Sequence, residues 1–190
     1  MIPVLIAGSG IALAYSYLSG PRNTVVVKSS VDQKEYQVQN LPDKQEAADF
    51  LARLRSKLTK IIQGFKNDVN AIQEPCYQRL VAKFNPEVFQ ENDLDAPSTS
   101  YSENKGEKIV VCLRDKTRAP YPFVSENTVM FVLLHEMAHL MTESMGHTPE
   151  FWTNFRKLLQ DCMKNGEYTP TNYNQSPIEY CGMTISDTPL

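Results

Sequence analysis

Two histidines four residues apart on a helix stand one above the other on a single face, and that spacing constrains this chain more than any other feature. Between Val132 and Trp152 the sequence runs His135-Glu136-Met137-Ala138-His139, then Gly146-His147 and Pro149-Glu150-Phe151-Trp152. The paired imidazoles can grip one metal ion while Glu136 stands beside them as a base. All 3 histidines of the chain fall inside this window. Ser125 is a good N-cap for a helix expected from Glu126 to about Ser144. Val129, Met130, Phe131, Val132, Leu133, Leu134, Met137, Ala138, Leu140 and Met141 make that helix apolar on nearly every side, so it belongs in a core. Two imidazoles and a carboxylate buried there without partners would cost roughly 1–3 kcal/mol each, and a bound metal removes that cost. Gly146 turns the chain, Thr148 caps and Pro149 opens a further helix running through Phe151, Trp152, Phe155, Leu158, Leu159, Cys162 and Met163. His147 is the first choice for a third ligand, with Glu143 and Glu150 as alternatives. Catalytic zinc takes three protein ligands and keeps its fourth position open.

The rest of the chain is read around this window. With 190 residues and 42% hydrophobic content, one globular core is expected. The formal net charge of -3 gives no overall pull towards polyanions, so nucleic acid is not an expected partner. Residues 2–19 form an uncharged run, near the lower limit for a bilayer-spanning helix. A membrane anchor is the favoured reading; a signal peptide lacks its basic flank, and burial in this protein or a partner is the third reading. Arg22 and Lys28 follow the run, so the positive-inside rule places the following domain in the cytoplasm, single-pass. The expected organisation is an anchor over 1–20, a linker or short hairpin over 21–43, and a catalytic domain over 44–190. Thr24–Val27 and Tyr36–Val38 suit the strands of that hairpin.

Apolar residues from Ala47 through Phe50, Leu51, Leu54, Leu58, Ile61, Ile62 and Phe65 to Val69 have helical spacing, which predicts a long amphipathic helix from Lys44 to about Val69. Its other face carries Arg53, Arg55, Lys57, Lys60 and Lys66, for which solvation is the simplest account. A second helix is expected over 75–84. Residues 90–108 read as loop, Lys108 to Arg114 as a compact strand, and 165–190 as a mostly irregular tail. Cys76, Cys112, Cys162 and Cys181 are far apart and form no metal or redox motif, so four reduced, mostly buried thiols are expected, with a disulfide between two of them as the alternative.

His135-Glu136-x-x-His139 followed by Gly146-His147-x-Pro149-Glu150-Phe151-Trp152 resembles the WLM and SprT-like zinc metallopeptidases, and within them the versions encoded by large DNA viruses. The resemblance implies an α+β, zincin-like domain over about residues 45–185, with a short sheet whose edge strand borders the cleft. The strand at 109–114 stands where that edge would be. The seven residues between His139 and His147 exceed the five of metzincins, which excludes that label.

The chemistry implied is hydrolysis of a protein or peptide substrate: Zn2+ on His135, His139 and His147 activates a water, and Glu136 is the general base and later the proton donor. An edge strand can hold an extended peptide by strand addition. Tyr180 and Tyr101 are candidates for stabilising the oxyanion. Two other readings stand beside this one. The first is a membrane-associated structural or assembly protein, such as a minor virion component with viral structural proteins as partners, whose metal would be closed by a fourth ligand. The second is a DNA-associated protease.

Overall fold

The computed structural model of the chain describes residues 23–96, 100–103 and 108–190, with backbone alone at 101–103 and 108. The apolar run 2–19 lies outside the described residues. Among the described residues no helix is long and apolar enough to cross a membrane.

Strands β1 (Thr24–Lys28) and β2 (Glu35–Gln39) form the expected hairpin, with Val26 opposite Gln37. Its turn is held by Asp49, whose carboxylate accepts from the Ser29 and Ser30 hydroxyls and the Ser30 amide at 2.7 Å each. The hairpin is no linker, because β2 pairs in parallel with β3 (Phe89–Glu91) and so joins the domain's sheet. β3 pairs in parallel with β5 (Lys108–Val111), and β4 (Tyr101–Glu103) pairs antiparallel with β5 on its far side. The sheet order is therefore β1-β2-β3-β5-β4. This corrects the expectation for residues 109–114: β5 is an interior strand, and β4 is the edge. Ile109, Val110 and Val111 are all buried, as a strand covered on both faces requires. β3 and β4 arise from residues read as loop, because each is three residues long and takes its pairing from β5 rather than from its own pattern.

Helix α1 (Lys44–Asn67) lies across the hairpin side of the sheet, burying Phe50, Leu51, Leu54, Leu58, Ile61, Ile62 and Phe65. It stops short of Val69, which is exposed, because the Asp68 carboxylate accepts the Asn70 and Ala71 amides and turns the chain. The basic face of α1 is largely engaged with the chain's own carboxylates: Arg53 and Lys57 with Glu126, Arg55 with Asp32 and Glu87, and Lys60 with Glu167. Helices α2 (Pro75–Lys83), α3 (Glu126–Met141) and α4 (Pro149–Lys164) pack together, with α3 between the other two. The tail is more ordered than its composition predicts, forming the hairpin β6 (Ile178–Tyr180) and β7 (Met183–Ile185). Its turn needs positive φ at two successive residues, 53° at Cys181 and 86° at Gly182.

Cys112, just past β5, forms a disulfide with Cys181 in that turn, leaving Cys76 and Cys162 free. The expectation of four thiols is therefore corrected; two cysteines 69 residues apart meet only because the tail folds back over β5. A second feature hidden from the sequence is Arg114, 1% exposed, whose guanidinium donates to Glu91 and Asp43 at 2.7 Å each and lies 4.2 Å over the Phe123 ring. Glu91 also accepts the Gln39 amide, so one buried ion cluster joins β2, β3, the end of β5 and the start of α1. Burial pushes the Glu91 carboxyl above its usual range even against the pull of Arg114.

Candidate metal centre

Ser125 caps α3 as expected, its hydroxyl accepting the Thr128 amide at 3.2 Å. The helix then buries Val129, Met130, Phe131, Leu133, Leu134, Met137, Ala138, Leu140 and Met141, leaving His135, Glu136 and His139 half-buried on the remaining face. It ends at Met141, three residues before the expected Ser144, because Arg79 of α2 reaches across and its Nε donates to the Met141 carbonyl at 2.7 Å. The Thr142 hydroxyl donates to the Ala138 carbonyl at 2.7 Å and accepts from Asn154 at 3.0 Å. Orphan carbonyls at the helix end are thus satisfied by side chains, and the chain is free to turn.

Gly146, at φ +78°, makes the reversal that a residue with a Cβ adopts only with strain. The exposed His147 then comes back over α3, with its Nε2 3.0 Å from the Nε2 of His135. Thr148 caps α4 and Pro149 begins it, as the sequence predicts. The ligand nitrogens of His135, His139 and His147 lie within 4.8 Å of one another, and among the described residues this group takes in no cysteine or carboxylate. Glu143 and Glu150 are not in it. The Glu150 carboxylate instead accepts the Glu143 amide at 3.1 Å, the Ser144 amide at 3.2 Å and the Ser144 hydroxyl at 2.8 Å. These bonds hold it below the usual carboxylate range.

Phe151, 0% exposed, is the floor beneath all three rings, its centroid 4.4 Å from His139, 4.7 Å from His147 and 4.9 Å from His135. Trp152 flanks His147 at 5.7 Å. This apolar floor and the crowding of the imidazoles disfavour the charged forms of His135 and His139. Desolvation, then the neighbouring His139 and His147, pushes His135 down to about 3, and desolvation followed by His147 lowers His139. Neutral imidazole is the form that ligates, so the donor set fits a zinc ion, for which three protein ligands of this kind are the usual catalytic complement.

Of the two tyrosines, only the side chain of Tyr180 lies among the described ones. Tyr180 is fully buried, and its hydroxyl donates to the Cys112 carbonyl at 2.8 Å and shares a 2.7 Å hydrogen bond with the Ser100 hydroxyl. As placed, it fastens β6 to the end of β5, next to the disulfide, instead of offering a donor to the site. Burial raises its phenol well above the ordinary range, and the charge of Glu136 adds to the rise. Tyr101 opens the edge strand β4, paired opposite Val110, and its side chain lies outside the described ones. A groove of about 630 Å³ between the C-terminal ends of α1 and α4 contains none of the site residues. Arg79 escaped the sequence reading because no local pattern joins it to residues more than sixty positions away.

Residues 30–176 match the family model of the WLM domain. An uncharacterized protein of Acanthamoeba polyphaga mimivirus is 32% identical over 165 residues, spanning 85% of this chain and 82% of the relative. An uncharacterized protein of Invertebrate iridescent virus 3 is 32% identical over 118 residues, 59% of this chain and 72% of the relative. Both relatives are viral, as the motif's resemblance implied. Among solved structures, Wss1 from Saccharomyces cerevisiae matches with 19% identity and a TM-score of 0.49, covering 68% of this chain and 88% of that one.

Proposed function

The chain belongs to the WLM domain family, and from that premise we propose that it is a zinc-dependent metallopeptidase acting on protein or peptide substrates, with His135, His139 and His147 as the metal ligands and Glu136 as the general base. The observation that carries this reading is the gathering of three imidazoles from one helix and the turn after it, their ligand nitrogens within 4.8 Å of one another, with a half-buried carboxylate next to the first of them in sequence. Zinc held there supplies Lewis acidity, acidifying water and polarising a carbonyl. Glu136 takes the proton of the attacking water and passes it to the leaving amine. The buried ring of Phe151 packs beneath the ligands and excludes water from below. β4 ends the sheet among the described residues, so its outer edge is the place where an extended peptide can add as a further strand. A structural metal would need a fourth protein ligand, and the described residues bring three together.

Glu136→Gln tests the proposal: zinc content and fold are retained while cleavage of an unfolded protein substrate is lost. A Gln variant that cleaves at the wild-type rate refutes it. Attachment to a membrane through residues 2–19, with the catalytic domain on the cytoplasmic side, is part of the same proposal and rests on the uncharged run alone. Release of the full chain by carbonate extraction of membranes would overturn that part.

A further inference from the structure

We propose that Glu150 and Arg79 are positioning residues for the third metal ligand, together holding the turn over residues 142–148 in the shape that brings His147 to His135. The inference rests on the metallopeptidase reading of the site. His135 and His139 are placed by a buried helix, but His147 is exposed and sits on an irregular turn. Ordering such backbone costs conformational entropy at every residue, so something must hold it in place.

Glu150 does so from the first turn of α4. One oxygen accepts the Glu143 amide and an Arg79 Nη2 hydrogen at 3.2 Å; the other accepts the Ser144 amide and hydroxyl. The Ser144 hydroxyl in turn shares a 2.7 Å hydrogen bond with that of Thr148, the cap of α4. Both carboxylate oxygens are thereby occupied, which explains why a carboxylate three residues from His147 is not itself in the ligand group. Its place at the start of a helix also suits its charge.

Arg79 completes the arrangement with one rigid guanidinium. Its Nε holds the Met141 carbonyl, the last residue of the helix that carries His135 and His139, while its Nη2 holds the carboxylate that shapes the turn carrying His147. The two halves of the ligand set are therefore registered against each other through a single planar group. Lysine cannot reproduce that fork, because its point charge reaches one acceptor geometry at a time.

The test uses the full chain with Glu150→Ala, Glu150→Gln and Arg79→Lys. Zinc affinity is measured by competition with a chromophoric chelator, and the ligand field by the visible spectrum of the cobalt-substituted protein. Glu150→Ala is expected to weaken zinc binding about ten- to a hundredfold and to change the cobalt spectrum, with Glu150→Gln intermediate because it keeps one acceptor oxygen and Arg79→Lys also weakened because it loses the fork; wild-type affinity and spectrum in Arg79→Lys overturn the role of Arg79. In a His147→Ala background the same change is expected to have no further effect, since the ligand it positions is gone. Affinity within about twofold of wild type with an unchanged spectrum, or a loss as large in the His147→Ala background, overturns the proposal. Hydrogen exchange on the metal-free protein reads the turn alone: faster exchange of the Glu143 and Ser144 amides in Glu150→Ala, with α3 still protected, supports it, and unchanged exchange overturns it. A wild-type chain that binds neither zinc nor cobalt refutes the metallopeptidase reading, and the exchange result then decides the positioning role by itself.

Discussion

Removing the Cys112–Cys181 disulfide should destabilise the domain strongly without abolishing its fold. The bridge closes a loop of 69 residues that contains α3, the 142–148 turn and all of α4, hence the whole proposed ligand set. Loop-closure entropy for that separation amounts to about 4 kcal/mol at 25 °C, an upper figure because an unfolded chain that keeps residual structure has less entropy to lose. The tail retains a second attachment, the Tyr180 hydroxyl on the Cys112 carbonyl, so the β6–β7 hairpin stays docked when the sulfurs part. Urea unfolding of the full chain is to be followed with and without reductant, alongside the Cys112→Ala/Cys181→Ala double variant. At a denaturant dependence of about 2 kcal/mol per molar, the midpoint should fall by roughly 1–2 M, and the double variant should match the reduced wild type. Thiol titration of the unfolded, unreduced chain should return only Cys76 and Cys162. Titration of all four cysteines, or midpoints that coincide with and without reductant, would refute the reasoning.

Two further changes probe the site and its scaffold. Phe151→Ala removes a fully buried ring that contacts all three histidines, so it should cost about 3–5 kcal/mol by thermal unfolding and weaken zinc binding, while Phe151→Leu should recover most of both. Arg114→Ala strands Glu91 as a buried carboxylate without its cation, and chemical denaturation should show a loss of about 3–5 kcal/mol. Replacing Glu91 with Gln in that background should restore part of the loss, since the uncompensated charge is then gone.

The elements that local pattern controls were legible from the sequence. The 3.6-residue periodicity of Ala47 to Phe65 gives α1, the Ser125 and Thr148 caps begin α3 and α4, and the β-branched runs near 24–27 and 36–38 pair as a hairpin. The candidate metal centre was legible for a related reason. A four-residue spacing on a helix is a geometric statement by itself, and Gly146 before His147 marks where the chain can reverse. Beyond this point local reasoning ran out at particular places. α3 ends at Met141 where a distant arginine takes its carbonyl and Glu150 takes the amides of residues 143 and 144, partners that no local pattern announces. β3 and β4 exist only through pairing with neighbouring strands, and their places on either side of β5 put that strand in the interior of the sheet and not at its edge.

Spacing along the chain was enough to name the three histidines of the candidate metal centre, because they lie on one helix and the turn that follows, where spacing dictates direction. Only the tertiary structure decided what holds them there. Arg79 and Glu150 on the turn, Phe151 beneath the rings, the Arg114–Glu91 cluster and the Cys112–Cys181 bridge are contacts whose partners come from separate elements or from opposite sides of a helix turn. Such contacts form when apolar faces are driven together and buried polar groups must find partners, and neither requirement leaves a periodic trace along the chain.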